Sequence, residues 1–190
     1  INNQGNDYGS AGSNWVYGSM AADDSYKGST PGDQPPAVLL GTWSLSQATT
    51  PYLNQKWKML YTGIQRANDV LRILPNVSDM TAEEKNRMVA EARFLRGFYH
   101  EDGKKMWINI PYVDENVTYE NGNVDVPNVD DAGNFIEAWP MIEADLQFAV
   151  DNLPATQPQA GRVNKYAAMA FLAKAYMFQD KYAEAKPLLE

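Results

Sequence analysis

The stretch AFLAKAYMFQDKYAEAKPLLE, from Ala170 to Glu190, decides the fold. It holds small residues, Ala173 and Ala185, on either side of a short polar turn. Small side chains at these points let two antiparallel helices approach closely, and the nearby rings of Tyr176 and Tyr182 would fill the space beside them. The stretch therefore predicts a tightly packed helix pair at this end of the chain.

This spacing is the tetratricopeptide pattern, in which helix pairs stack one after another along the chain. The segment FLRGFY, Phe94–Tyr99, repeats the theme more weakly, with Gly97 as the small position. An ordinary helical hairpin is the alternative that the spacing leaves open.

Helical periodicity extends through most of the chain after residue 51. Apolar residues recur at three- and four-residue steps, and Thr81 with Glu84 forms a capping box. Pro140 indicates either a helix start or a kink. Residues 1–51 and 107–133 are predicted as long loops, so the fold class is all-α. The predicted helices are Tyr52–Leu74, Thr81–Lys105, Asn134–Leu153, Asn164–Phe178 and one that begins near Tyr182.

Composition narrows the function classes. The 190 residues suffice for one domain, and the formal net charge of -8 argues against a nucleic-acid partner. The chain has no cysteine, which excludes disulfides, thiol catalysis and cysteine–zinc sites. It starts at Ile1 and stops inside a helical pattern at Glu190, so we expect a piece of a longer protein. A signal peptide or lipid-bearing cysteine would then lie upstream.

Paired carboxylates for glycoside hydrolysis are not identifiable. Asp23 and Asp24 are neighbours, and in an extended stretch they point to opposite faces, whereas hydrolysis needs two carboxyl groups that converge across a sugar. The two residues are therefore interpreted either as turn-building side chains or as the polar rim of a ligand site.

Metal binding has weak support in the sequence. Asn128 and Asp130 fit two alternate positions of a calcium loop, but Ala132 breaks the third, which leaves only an irregular calcium site open. His100 is the single histidine, and without a second histidine or a cysteine it is interpreted as structural. We expect no cofactor and no metal.

Three longer stretches resemble the SusD/RagB family of outer-membrane nutrient-binding lipoproteins of Bacteroidetes. They are WKMLYTGIQRANDVLRIL, AEARFLRGFYHEDGKKMWINIPYVDE and IEADLQFAVDNLPATQPQAGRVNKYAAMAFLAKAYMFQDKYAEA, and they occur in the family's order. The resemblance runs from about Ala21 to the end. It implies a single SusD-like domain over 1–190, the N-terminal portion of a longer protein. Residues 1–51 would be the loop-rich ligand side and 52–190 the helical repeat scaffold.

The resemblance also implies a fold and a function. The fold would be a tetratricopeptide-like helical superhelix with long irregular loops that carry the ligand site. The protein would have no enzymatic activity and would bind a polysaccharide or oligosaccharide at the cell surface. It would be lipid-anchored in the outer membrane and would deliver its ligand to a SusC-like TonB-dependent transporter. The alternative is a tetratricopeptide scaffold that binds only proteins or peptides, with short turns and a concave helical groove.

The segment ADDSYKG, Ala22–Gly28, resembles one that family members carry before the first long helix, and in starch-binding members the following loop contributes glycan contacts. That loop here is about Tyr26–Tyr52 and holds a single tryptophan, Trp43, which departs from the starch-binding pattern. An indole can stack on a sugar's apolar face, although Trp43 could instead pin the loop to the helices. We expect Met20–Trp43 on the solvent face. The other candidate glycan contacts are Asp24, Tyr26, Lys27, Asp33 and Gln34.

Overall fold

Six α-helices follow one another in a computed structural model that describes residues 14–22, 24–28, 30, 32–44, 51–120 and 124–190. A turn of 3-10 helix, Leu74–Asn76, follows the second helix. Within these ranges, strand pairing is limited to one antiparallel bridge between Val129 and Phe135. The all-α prediction is confirmed. The helices are α1 Pro35–Gly41, α2 Pro51–Ile73, α3 Ala82–Trp107, α4 Trp139–Asn152, α5 Lys165–Met177 and α6 Tyr182–Leu189.

The five predicted helices correspond to α2–α6, and the starts of α3 and α5 carry the capping residues Thr81 and Asn164. Thr81 caps α3, since its hydroxyl accepts from the Glu84 backbone N–H at 3.2 Å while the Glu84 carboxylate accepts from the Thr81 N–H at 2.8 Å. The third helix was predicted to begin at Asn134, but in the structure it begins at Trp139. Because α4 begins at Trp139, Pro140 lies in its first turn, where a missing N–H removes no helical hydrogen bond.

The prediction of a continuous loop over residues 1–51 is wrong at α1. Pro35 and Pro36 occupy the first positions of that helix, where proline is tolerated, and the next residues place Ala37 and Leu40 in a core. The signal that identifies the helix is the whole run PPAVLL, a Pro–Pro step followed at once by apolar residues.

The chain divides into two compact units at Met59–Leu60, inside α2. The smaller unit has its own apolar core, in which the Tyr17 hydroxyl donates to the Tyr52 carbonyl at 2.8 Å. Met20 belongs to that core and is 2% exposed, so the expectation of a solvent-facing segment is wrong at its first residue. The buried residues of this core are Val16, Met20, Ala37, Leu40 and Tyr52.

In the larger unit, α3, α4, α5 and α6 pack consecutively, each against the next. Ala173 and Ala185 are buried between α5 and α6, as the repeat pattern predicted. The predicted filling of that interface by Tyr182 is wrong. Its ring is 60% exposed, and its hydroxyl donates to Asp180 at 2.7 Å.

The segment 110–115 after α3, called here the strap, runs extended across α2. Three α2 side chains that share one helix face donate hydrogen bonds to alternate strap carbonyls, which point the same way in an extended chain. The strap is thus fixed through its backbone. The bonds run from the Tyr61 hydroxyl to Pro111 O at 2.8 Å, from Asn68 Nδ2 to Val113 O at 3.0 Å, and from Arg72 Nη1 to Glu115 O at 3.1 Å.

His100 holds the strap from the side of α3. Its Nε2 accepts from the Val113 backbone N–H at 3.0 Å, so Nδ1 carries the proton and donates to the Arg96 carbonyl at 3.0 Å. The ring stacks on Tyr112 with centroids 4.3 Å apart. Burial lowers the pKa of His100 to about 4, which keeps the imidazole neutral. The structural interpretation of His100 is confirmed.

No helix among the described residues combines the length and the apolar character needed to cross a bilayer.

Candidate functional site

Trp43 lies in the turn that ends α1. The Ser44 N–H donates to Leu39 O at 3.0 Å and the Trp43 N–H donates to Leu40 O at 3.4 Å. This pair of bonds is the Schellman pattern, in which the residue after the helix cap adopts left-handed backbone geometry and is usually glycine. Trp43 occupies that position with φ 53°. The chain thus has a bulky aromatic residue where the backbone favours glycine.

Burial does not compensate for this backbone strain, because the Trp43 side chain is 76% exposed. A left-handed conformation costs a residue other than glycine about 1–2 kcal/mol. The exposure argues against the alternative in which Trp43 pins the loop to the helices. Strained residues of this kind cluster at ligand-binding positions, which makes Trp43 the leading candidate for a ligand contact among the described residues of the smaller unit.

Three of the predicted polar residues come together where α1 begins. Lys27 Nζ and the Asp33 backbone N–H both donate to the Thr30 carbonyl, each at 3.0 Å. Gln34 follows directly, with its side-chain oxygen accepting from the Tyr52 hydroxyl at 3.0 Å. Its bond to Tyr52 orients Gln34 toward the core cluster, whereas the Asp33 side chain faces solvent.

The two ends of α1 therefore carry different chemistry. A seven-residue helix is about 10 Å long, so the polar group that contains Lys27, Asp33 and Gln34 stands about that far from Trp43. Tyr26 is 87% exposed and Asp24 is also exposed, but no described hydrogen bond ties either of them to α1. Asp23, with which Asp24 was compared, lies outside the described residues.

A cluster of buried charge in the larger unit centres on Asp145. Its carboxylate accepts from Arg93 Nε at 2.8 Å, from Arg96 Nε at 2.7 Å and from the Tyr112 hydroxyl at 2.6 Å. Arg96 also pairs with Glu115 at the end of the strap. Arg93 and Arg96 therefore both pair with acidic side chains.

The electrostatics of this cluster indicate a structural role. Burial is the largest single influence and opposes the charge of Arg96, but hydrogen bonds to Asp145, the Asp145 charge and smaller contributions from Tyr112 and Glu115 together outweigh it and raise the pKa of Arg96. Burial and the Asp145 charge raise the pKa of the Tyr112 hydroxyl. Asp145 is fully buried and its oxygens are bound by protein donors, so it cannot reach a substrate. The cluster joins α3, α4 and the strap.

The candidate calcium residues build a turn instead. One Asp130 carboxylate oxygen accepts from the backbone N–H groups of Ala132 at 2.9 Å and Asn134 at 2.8 Å. These bonds, with one from the Asn134 side chain, lower the pKa of Asp130. Asn128 donates to the Asn109 carbonyl at 3.2 Å. Across the described ranges, no group of three or more histidine, aspartate or glutamate side chains could hold a metal ion.

Comparison with known proteins gives a consistent match. A SusD-like family model, described as "Starch-binding associating with outer membrane", matches residues 21–177. SusD-like protein P25 of Formosa agariphila is 26% identical over 151 residues, which is 75% of this chain and 28% of that protein. The chain therefore spans little more than a quarter of that relative.

Solved structures agree with the sequence match. A laminarin-binding SusD-like protein superposes with a TM-score of 0.72 at 29% identity, over 84% of this chain and 33% of its own. Surface glycan-binding protein A from Bacteroides fluxus superposes with a TM-score of 0.72 at 26% identity, over 91% of this chain and 36% of its own.

Proposed function

The chain belongs to the SusD-like family, and on that premise we propose that it is part of a non-catalytic glycan-binding protein of the cell surface. In this proposal a lipid anchor outside this chain holds the protein at the outer membrane. The bound polysaccharide or oligosaccharide then passes to a SusC-like TonB-dependent transporter. The similar structures include a laminarin-binding protein and a surface glycan-binding protein, which supports a glycan as the ligand.

The strained backbone and the exposure of Trp43 are the observation on which the proposal rests. A strained, 76% exposed indole contributes little to a core, and sugars offer flat apolar C–H faces on which an indole stacks. The polar group at the other end of α1 supplies partners for sugar hydroxyls. Lys27 offers an ammonium group, and Asp33 offers an exposed carboxylate. Asp24, Tyr26 and Gln34 complete the proposed contact set.

The arrangement of carboxyl groups supports ligand binding without catalysis. Asp145, a fully buried carboxylate of the larger unit, is bound by arginine and tyrosine donors and has no access to a ligand. Glycoside hydrolysis needs two carboxyl groups facing each other across the scissile bond. Exposed aromatic residues outside the long helices, Tyr26 and Trp43, also favour this proposal over a scaffold that binds peptides along a helical groove.

Calorimetry with the longer natural protein and a panel of oligosaccharides, including laminarihexaose, tests the site. Trp43→Ala should weaken glycan binding about tenfold or more, by analogy with the stacking of bases on aromatic side chains. Trp43→Phe keeps a ring at the same place and should retain most of the affinity. If a glycan binds and Trp43→Ala leaves its affinity unchanged, the site assignment is wrong.

The transporter is tested separately by purification from native membranes. We expect a TonB-dependent outer-membrane transporter to co-purify with the protein, and Trp43→Ala should not affect that association. Consistent failure to recover such a transporter would contradict the delivery step and leave glycan binding intact.

A further inference from the structure

A second concave surface lies on the larger unit, along the outer side of α2 and the strap. It is an open groove of about 510 Å³, a volume typical of small-molecule sites. None of its residues belongs to the site proposed around α1. Its main lining residues are Tyr61, Gln65, Arg72, Val113, Thr118 and Tyr119.

The floor of the groove is held in place before any ligand arrives. Tyr61 and Arg72, which line it, are the same side chains that bind the strap carbonyls at 2.8 and 3.1 Å. Val113 is fixed from two sides, through its carbonyl to Asn68 and through its N–H to His100. Binding to such a preformed surface loses little conformational entropy.

The charges of the groove favour a neutral ligand. The Arg72 guanidinium pairs with Asp69 and donates to the Glu115 carbonyl, so its charge is already balanced and two of its donor nitrogens are engaged. Glu120 is the one acidic side chain among the described residues that line the groove, and the described residues offer no metal-binding group. An anion would meet no uncompensated cation, and a divalent cation would meet too few oxygen ligands.

The groove also combines apolar surface with polar groups. Val113 and Val117 contribute aliphatic walls, while Gln65 and Thr118 contribute an amide and a hydroxyl. Gln65 donates to Asp69 at 3.0 Å and still has its amide oxygen for an incoming hydroxyl. Tyr119 stands at the rim with its side chain 89% exposed. Apolar faces ringed by hydroxyl groups are the chemistry of a sugar, which suits this lining.

We propose that this groove is a second carbohydrate-binding site for a neutral oligosaccharide. Tyr119 is the stacking ring, and Gln65 and Thr118 bind sugar hydroxyls. The proposal goes beyond the site around α1, and the two sites can be tested independently of each other.

NMR titration of the isotope-labelled longer natural protein with laminarihexaose and with a xyloglucan oligosaccharide tests the groove. With at least one of them, we expect saturable shifts of the Thr118 and Tyr119 backbone amides and the Gln65 side-chain amide, in the wild type and in Trp43→Ala alike. Tyr119→Ala should weaken this binding about tenfold or more. Tyr166→Ala, which removes a 62% exposed ring on α5, is the matched control and should not affect it.

Each other outcome is decisive. If groove resonances stay unchanged at millimolar concentrations of both sugars, or shift only while Trp43 is intact, the groove is not an independent carbohydrate site. Unchanged affinity in Tyr119→Ala also overturns the proposal. Shifts at Trp43 without shifts in the groove refute the second site alone, and the reverse result refutes the proposed site around α1 alone.

Discussion

Gly63 lies directly beneath the ring of Tyr99. A Cβ built on Gly63 would stand 2.4 Å from Tyr99 Cε2 and 2.6 Å from two further ring atoms. The close approach of α2 and α3 therefore requires glycine at this position.

Gly63→Ala should lower the free energy of unfolding by about 1–3 kcal/mol, because the ring or the helix must shift. An unconstrained glycine inside a helix would behave in the opposite way, gaining about 1 kcal/mol on change to alanine. Chemical denaturation distinguishes the two signs. The double variant Gly63→Ala/Tyr99→Leu should recover part of the loss, and a stabilised single variant would show that the contact is not tight.

Trp43→Gly should leave the free energy of unfolding unchanged or raise it by about 0.5–1 kcal/mol, because glycine adopts the left-handed position without strain. Thermal or chemical denaturation measures this, with Trp43→Ala as the control that keeps a Cβ. A buried tryptophan would instead lose about 3–5 kcal/mol on truncation. A loss of that size would show that Trp43 supports a core and would remove it from the site.

The pH dependence of stability should contain a contribution from His100. Its folded pKa of about 4 lies below the ordinary value of 6.5, so the unfolded state takes up the proton first as the pH falls. Stability is lost between about pH 6.5 and pH 4, by about 3 kcal/mol in total, with no further contribution below that range. His100→Gln should lack this component.

The chain has a single histidine, so its imidazole resonances can be followed by NMR without assignment. We expect no titration of the folded protein between pH 7.5 and pH 5.5. A midpoint near 6.5 would show that the ring is hydrated and that the strap is not anchored as described.

Asp145→Asn should destabilise the protein by about 3–5 kcal/mol, because it leaves Arg96 buried without its main counter-charge. Asp151→Asn, an exposed change on the same helix, is the control and should alter stability by less than about 0.5 kcal/mol. Urea denaturation of both variants gives the comparison. Equal effects would mean that the buried cluster contributes nothing specific.

The long helices could be predicted because an apolar stripe must be buried, which imprints a period on the sequence. The short α1 escaped prediction, since seven residues carry too little periodicity and its stability comes from burying Ala37 and Leu40 in a separate core. The contacts between α2 and the strap could not be predicted for another reason. Tyr61, Asn68 and Arg72 bind main-chain oxygens, and every residue type supplies those.

The candidate site could be predicted only as far as residue types allow. An indole in a polar loop suggested Trp43, but its left-handed backbone could not be foreseen, because tryptophan is disfavoured there. The Gln34 side chain was expected to bind a ligand through its amide. Its hydrogen bond to Tyr52 could not be predicted, because Gln34 caps α1 and the sequence did not reveal that helix. The groove beside Tyr119 has no sequence signal, because residues some fifty positions apart form it.

Attachment of the strap through its carbonyls has a consequence for how freely the protein can vary. Substitutions at Pro111 or Val113 leave the accepting oxygens in place, so these two strap positions should tolerate different side chains, whereas Tyr112 and Glu115 are also held through their side chains. The three donors on α2 have no such freedom. We therefore expect changes at Pro111 or Val113 to cost little stability, whereas loss of the Tyr61, Asn68 or Arg72 side chain should release the segment from the helix beneath it.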